Sequence, residues 1–188
     1  ADDQLYAMRQ RCGLLFQDGA LFGSMNLYDN VAFPLRQHTE KGEDEIAEIV
    51  NQRLKEVGLG NSNDKMPNEL SGGMRQRILI AIAFACQPKL VIADEPTTAL
   101  DVTVQKQILQ LLKSIQLERQ ATILFITHDL GVVAEITERV IVMYGGRVVE
   151  ETDVDSIFDR PSHPYTLGLL GSVNSLESSG RGSLRAIP

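Results

Sequence analysis

Two short segments carry residue types that can act together on a phosphate ester. Residues 70–77 read LSGGMRQR, and residues 90–96 read LVIADEP. A serine before a glycine pair predicts a helix start, where Ser71 caps the helix and exposed backbone amides can bind an anion. Asp94 and Glu95 follow an apolar strand, and such a carboxylate pair can hold Mg²⁺ and orient water. The two segments therefore predict the chemistry of nucleotide hydrolysis.

These motifs and their order resemble the ATP-binding subunit of an ABC transporter. Residues 70–76 match the signature motif of that family, residues 90–95 its Walker B strand, and residues 98–101 its D-loop. Gln17 falls at the position of the Q-loop glutamine, and His128 at that of the switch histidine. The resemblance extends over nearly the whole chain. It implies an α/β, partial P-loop NTPase fold with a mostly parallel sheet and a helical signature lobe.

The resemblance also implies a chemical role for several polar side chains. Asp94 would coordinate Mg²⁺ through water, and Gln17 would approach the same metal and the attacking water. Glu95 would polarise that water or accept its proton. His128 would contact the γ-phosphate and hold the water and Glu95 in place. The implied catalytic residues are therefore Glu95, His128 and Gln17, and the implied metal residues are Asp94 and Gln17.

The resemblance also implies that the signature motif reaches the ATP of an opposing subunit. The residues implied to bind the nucleotide are Ser71, Gly72, Gly73, Gln76 and Asp101. Two subunits would close head to tail around two Mg-ATP, so each hydrolytic site would be composite. The implied partners are a second ATP-binding subunit, identical or different, and transmembrane permease subunits. The resemblance thus implies a peripheral subunit at the cytoplasmic face of a membrane that couples ATP hydrolysis to import.

Each of these residues also has a plainer interpretation when it is considered alone. Asp94 could be an ordinary loop carboxylate, and His128 could cap the next helix. Residues 71–73 could be a simple helix cap, and Gln17 could be a solvated loop residue. Two adjacent acidic residues at a strand end favour the functional interpretation of Asp94 and Glu95, because α/β proteins bind ligands at the carboxyl ends of parallel strands.

The phosphate-binding loop G-x-x-x-x-G-K-[ST] does not occur in the printed sequence. Gly19 and Gly23 have similar glycine spacing, but Ser24 and Met25 follow instead of lysine and serine or threonine. We expect that the N-terminal part of the cassette is missing and that the isolated chain is nearly inactive. The alternative is a non-catalytic module that supplies signature and lobe surfaces to a partner.

Composition restricts the class of protein. The chain has 188 residues, 43% of them hydrophobic and 23% charged, which is typical of a soluble globular protein. The net charge of −7 argues against a general nucleic-acid surface, so we expect no nucleic-acid partner and disfavour an ABC ATPase of DNA repair or translation. Cys12 and Cys86 are expected to be buried free thiols in a reducing compartment, since they lie far apart in apolar surroundings.

The first half of the chain predicts a short strand followed by helices. Residues 12–16 predict the strand. Asn26 predicts a helix cap, and the helix should end near Pro34. Apolar residues at helical spacing predict a second helix over residues 43–57. A third helix should run from Gly72 to about Cys86, ended by a proline.

The second half predicts alternating strands and helices, which is typical of a mostly parallel sheet. Residues 90–93 and 122–127 are predicted to be buried strands. The helix between them should present one apolar face, made of Val104, Ile108, Leu111, Leu112 and Ile115. Residues 140–144 and 147–149, joined by a glycine pair, predict a hairpin. Residues from Ser172 onward predict a loose tail.

We predict four regions along the chain. Residues 1–16 would be a remnant of the ATP-binding core, and residues 17–88 the Q-loop and helical signature lobe. Residues 89–150 would form a RecA-like core with Walker B, D-loop and switch histidine. Residues 151–188 would form a C-terminal extension and a flexible tail.

Two parts of the chain resemble different subfamilies. Residues 94–105, 127–133 and 163–166 look like the oligopeptide and dipeptide importer ATPases. Residues 15–22 and 30–36 are closer to the lipid-trafficking ABC ATPases of Gram-negative envelopes. From the sequence, the cargo stays open between these classes.

Overall fold

A computed structural model describes residues 11–16, 21–98 and 100–177, with side chains as far as Gly171. The chain divides after Ile126 into two compact units. The described elements of the first unit, in chain order, are β1 (Cys12–Leu15), α1 (Leu27–His38), α2 (Glu43–Glu56), a 3-10 turn (Pro67–Glu69), α3 (Gly72–Ala85), β2 (Leu90–Asp94), α4 (Val102–Arg119) and β3 (Thr122–Ile126).

The three strands of the first unit form a parallel sheet in the order β1-β2-β3. Leu15 of β1 pairs with Ala93 of β2, and Asp94 of β2 pairs with Ile126 of β3. The carboxyl ends of all three strands therefore meet at one edge of the sheet. The predicted parallel α/β sheet is confirmed, and residues that follow these strand ends start from a common edge.

Among the described residues, one face of this sheet is buried and the other is not. Val91 and Ala93 are fully buried, and they belong to a core shared with the helices of the first unit. On the other face Leu14, Leu124 and Ile126 are 46% to 49% exposed. The prediction that residues 122–127 form a buried strand is therefore wrong, because side chains alternate between the two faces and only one face meets the core.

The helix starts agree with their predicted caps, but one helix end does not. Asn26 caps α1, and its Oδ1 accepts the amide of Asp29 at 2.8 Å. The predicted end of α1 near Pro34 is wrong, since the helix continues to His38 with the proline inside it. Burial of Leu35 in the core stabilises this last turn and compensates for the one hydrogen bond that a proline removes.

The predicted ends of α2 and α3 agree with the structure. Helix α2 ends at Glu56, one residue before the predicted boundary. Helix α3 ends at Ala85, with Cys86 as its C-cap and a left-handed residue, Gln87, before the proline.

Cys12 and Cys86 are free but half-buried, which corrects the prediction of buried thiols. Burial still raises the pKa of the Cys86 thiol.

The described elements of the second unit are α5 (Leu130–Ile136), β4 (Arg139–Tyr144), β5 (Arg147–Asp153), α6 (Val154–Asp159) and α7 (Pro164–Glu177). Strands β4 and β5 form the predicted antiparallel hairpin. Gly145 and Gly146 join them with positive φ angles of 56° and 76°, which glycine adopts without strain. Helix α7 continues through residue 177, so the prediction of a loose tail from Ser172 is wrong for these residues. No described helix is both long and apolar enough to cross a membrane.

Candidate functional site

The acidic pair lies at the carboxyl edge of the parallel sheet. Asp94 is the last residue of β2, and its side chain is exposed. Glu95 follows with a φ of 45°, a left-handed conformation that costs a non-glycine residue about 1–3 kcal/mol. Its amide donates to the carbonyl of Ile126 at 2.9 Å, so the neighbouring strand holds this conformation. Such local strain is concentrated at functional sites of proteins.

A tight turn after the strand holds the Glu95 carboxylate. The hydroxyl of Thr98 donates to Oε2 of Glu95 at 3.0 Å, and the amide of Thr98 donates to the Glu95 carbonyl at 3.3 Å. Thr97 is buried beneath the turn. The carboxylate that would handle the attacking water is therefore oriented by its own chain. From the sequence, Thr98 was assigned only to the D-loop, and its hydrogen bond to Glu95 was not predicted.

The signature motif begins α3. Ser71 is the N-cap, and its Oγ accepts the amide of Met74 at 3.3 Å. Ser71 and Gly72 are both exposed, so the start of this 14-residue helix faces solvent. The dipole at this end of a helix favours an anion. The predicted cap is therefore present, and its surroundings also suit a phosphate ligand.

The structure brings the signature motif close to the D-loop and the start of α4. A Cβ added at Gly72 would lie 3.6 Å from Cδ2 of Leu100, and one added at Gly73 would lie 2.8 Å from Cγ1 of Val104. Asp101 caps α4, and its Oδ1 accepts the amide of Val104 at 3.0 Å. Two motifs that are separate in the sequence are therefore neighbours within one unit.

Gln76 occupies a different environment from the start of α3. Its side chain is 6% exposed, and its Nε2 has no hydrogen-bond partner within the described part of the chain. Its predicted contact with a nucleotide therefore stays a prediction. Arg77, for which the sequence predicts no role, donates to the carbonyl of Val57 at 3.1 Å and to Gln107 at 3.3 Å. It thus joins the signature helix to the end of α2 and to α4.

Two further residues were predicted for the site, Gln17 and His128. Gln17 lies outside the described residues. His128 belongs to the second unit, where it is exposed and precedes Asp129. Asp129, not His128, is the N-cap of α5, and its Oδ1 accepts the amide of Gly131 at 2.9 Å. The predicted convergence of Gln17 and His128 with the acidic pair stays a prediction.

The second unit carries a loop at residues 161–163, held by Glu150. The Glu150 carboxylate accepts the amides of Ser162 at 2.7 Å and His163 at 3.0 Å. The nearby Thr166 side chain and these two amides lower the pKa of Glu150 below its ordinary value. Nδ1 of His163 accepts the amide of Tyr165 at 3.1 Å. Glu150 therefore fixes the loop that leads into α7.

Comparisons with known families agree with this geometry. A family model described as ABC transporter matches residues 1–98. A second model, described as oligopeptide/dipeptide transporter, C-terminal region, matches residues 149–188. A solved dimeric structure of the ATP-binding cassette MJ0796, in a post-hydrolysis state bound to ADP and Pi, is similar with a TM-score of 0.71 and 34% identity, covering 82% of this chain and 68% of that chain.

Curated relatives are named as ATP-binding proteins of oligopeptide transport and of glutathione import. The oligopeptide transport ATP-binding protein OppD of Bacillus subtilis is 48% identical over 181 residues, which are 94% of this chain and 51% of that protein. The glutathione import ATP-binding protein GsiA of Pectobacterium atrosepticum is 56% identical over 128 residues, which are 68% of this chain and 20% of that protein. The chain spans about half the length of the OppD relative. The OppD match is long enough to include most of the N-terminal part that resembles lipid-trafficking ATPases.

Proposed function

Because the chain belongs to the ABC transporter family, we propose that it is the ATP-binding and ATP-hydrolysing part of a peptide importer. The observation that carries the proposal is the strained, hydrogen-bonded Glu95 beside the exposed Asp94 at the carboxyl edge of a parallel sheet. The C-terminal family match and the names of the relatives support peptides as the cargo.

The described residues fit a magnesium nucleotide. Asp94 presents exposed carboxylate oxygens, which are ligands that Mg²⁺ accepts. When bound, Mg²⁺ neutralises charge on the phosphates and so favours phosphoryl transfer. Glu95 would accept a proton from the attacking water or polarise it, with Thr98 holding the carboxylate. Gln17 and His128 would complete the orientation of the water and the γ-phosphate.

The signature motif would bind the nucleotide that an opposing subunit holds. Ser71, Gly72 and Gly73 would contact its phosphates through the exposed hydroxyl and the helix amides. Gln76 and Asp101 would support this contact, Asp101 by capping α4 beside it. The proposed partners are therefore a second ATP-binding subunit and membrane-embedded permease subunits, with the chain at the cytoplasmic face of the membrane.

A second candidate is a non-catalytic module that supplies only these signature surfaces. The observation that favours it is the exposed start of α3, where Ser71 and Gly72 can reach a partner. In both cases we expect the chain alone to release almost no phosphate from ATP. Substantial turnover by the chain alone, abolished by Glu95→Gln, would contradict this expectation and indicate a self-sufficient site.

Calorimetric titration with Mg-ATP tests the composite site. We expect little heat from the chain alone and clear binding from an equimolar mixture with Bacillus subtilis OppD. Ser71→Arg should weaken binding by the mixture at least about tenfold, because it removes the cap of α3 and its bulk blocks the exposed helix start. Ser114→Arg on the exposed side of α4 is the matched control. If mixtures with the Ser71→Arg and Ser114→Arg variants bound Mg-ATP equally well, the proposed role of Ser71 in binding the nucleotide would be overturned.

Peptide uptake tests the cargo. The matching region of Bacillus subtilis OppD can be replaced by this chain in a strain that depends on imported peptide for growth. We expect the chimera to support growth and Glu95→Gln to abolish it. A folded, well-expressed chimera that never supports growth would argue against peptide import.

A further inference from the structure

We infer that Val104 is a positioning residue for the signature motif, and that Gly73 is a glycine because Val104 occupies the space of a side chain. The inference rests on the proposed function of the signature motif. It adds a residue of α4 to the machinery that presents the start of α3.

The contact between the two helix starts leaves no room for a Cβ atom. A Cβ at Gly73 would lie 2.8 Å from Cγ1 of Val104, which is closer than real Cβ contacts. A Cβ at Gly72 would lie 3.6 Å from Cδ2 of Leu100, an ordinary van der Waals distance. The two signature glycines therefore differ, since only the second is required by its neighbour.

Backbone conformation does not explain the second glycine. Gly73 lies within α3 and has no positive φ, so an L-residue can adopt its backbone. Glycine is also a weak helix former compared with alanine. Helix propensity alone thus favours alanine at this position, and the approach of Val104 is the structural reason against it.

The start of α4 is held too firmly for Val104 to move aside. Asp101 accepts the amide of Val104 at 3.0 Å, and its carbonyl accepts the amide of Gln105 at 2.8 Å. Nε2 of Gln105 in turn donates to the buried Thr97 at 3.4 Å. A β-branched side chain in a helix has essentially one side-chain rotamer. A larger residue at position 73 would therefore displace the start of α3, and with it Ser71.

Nuclear magnetic resonance of the chain without nucleotide tests the packing. The reporter is the cross-peak between the Hα protons of Gly72 and the Cδ2 methyl of Leu100, which neither substitution removes. Gly73→Ala should abolish this cross-peak and lower Tm. The double variant Gly73→Ala with Val104→Ala should restore the cross-peak and return Tm to at least that of Val104→Ala. Gly72→Ala is the matched control, and it should not lower Tm because its Cβ has room.

Mg-ATP-dependent association with Bacillus subtilis OppD tests the positioning role. Gly73→Ala should weaken association at least about tenfold, and adding Val104→Ala should recover most of it. A double variant as defective as Gly73→Ala in both measurements would overturn the inference, since the glycine would then serve the nucleotide and not the helix. Failure of the unmodified chain to associate would instead contradict the proposed function, and the cross-peak and Tm would still decide the packing.

Discussion

Gly13 of β1 faces the backbone of α3 at very short range. A Cβ at this position would lie 2.4 Å from the carbonyl oxygen of Ala83. We expect Gly13→Ala to lower the free energy of unfolding by about 1–3 kcal/mol or more, because a backbone oxygen cannot rotate away as a side chain can. Urea unfolding followed by circular dichroism measures this change.

Gly23 provides the control for that substitution. It is exposed, has no positive φ, and a Cβ there would meet no atom within 4 Å. Gly23→Ala should change the free energy of unfolding by less than about 0.5 kcal/mol. Equal effects of the two substitutions would show that β1 and α3 do not approach each other as closely as the structure has them.

Glu150 should stabilise the second unit in a pH-dependent way. Its folded-state pKa lies below the ordinary value of 4.5, because the nearby Thr166 side chain and the Ser162 and His163 amides favour the charged form. Its contribution is therefore fully present above about pH 4.5 and is lost as the pH falls through the lower folded-state pKa. Glu150→Gln should lower Tm at about pH 7, and its deficit relative to the unmodified chain should shrink in acid.

The amide resonances of Ser162 and His163 check the same expectation locally. They should titrate with a midpoint below 4.5 in the unmodified chain and lose this titration in Glu150→Gln. Glu135→Gln, an exposed substitution in α5, should leave both resonances unchanged. A Tm deficit that stays constant down to strongly acidic pH would rule out the carboxylate as its cause.

Residues whose roles depend on near neighbours in the chain were predictable from the sequence. The Ser71 cap follows from residue type and spacing, because capping bonds span only a few residues. The left-handed Glu95 was not predictable, since its amide is held by Ile126 of another strand. The burial of Gln76 likewise depends on tertiary packing, which no local pattern in residues 70–77 encodes.

Helices α2 and α4 are joined by a charge cluster of Arg53, Glu56 and Arg119. The Glu56 carboxylate accepts Nη1 of Arg53 at 2.6 Å and also contacts Nη2 of Arg119. Arg53 is 1% exposed. Glu56→Ala should therefore cost about 3–5 kcal/mol in the free energy of unfolding, because it leaves a buried guanidinium without its counter-charge. Chemical denaturation of the purified chain measures the loss.

Glu45 of the same helix is the matched control. It is exposed and pairs with Lys41 at the surface, where an ion pair contributes at most about 1 kcal/mol. Glu45→Ala should thus be close to neutral. If Glu56→Ala were equally mild, the cluster would not hold α2 against α4, and Arg77 would carry that link.

At the scale of elements, periodicity and capping predicted most helices and strands, while packing determined the exceptions. Helix α2 matches its apolar spacing almost to the residue. Helix α1 continues past Pro34 because its last turn buries Leu35 in the core. The expectation that a proline ends a helix considers only the local backbone and not this burial. The consecutive apolar residues of β3 predicted a strand buried on both faces. Consecutive apolar residues do not determine whether other elements cover the second face of the sheet.

Across the whole chain, buried apolar side chains are distributed unevenly. The core cluster of the first unit runs from Leu15 to Ala121. Among the described residues of the second unit, the buried apolar side chains are Val132, Val133 and Ile157. A two-stranded hairpin with so small a core is marginally stable by itself. Stability should therefore differ between the units, since local opening follows the amount of buried apolar contact.

Hydrogen exchange of backbone amides tests this difference. Amides of β4 and β5 should be protected at least about tenfold less than those of α1 and α3, after division by the intrinsic exchange rate of each sequence. Among hairpin amides, those paired near Val142 and Met143 should exchange fastest, because a register shift there interrupts the ladder. Protection of β4 and β5 equal to that of α3 would mean that their stability does not come from the buried side chains of their own unit.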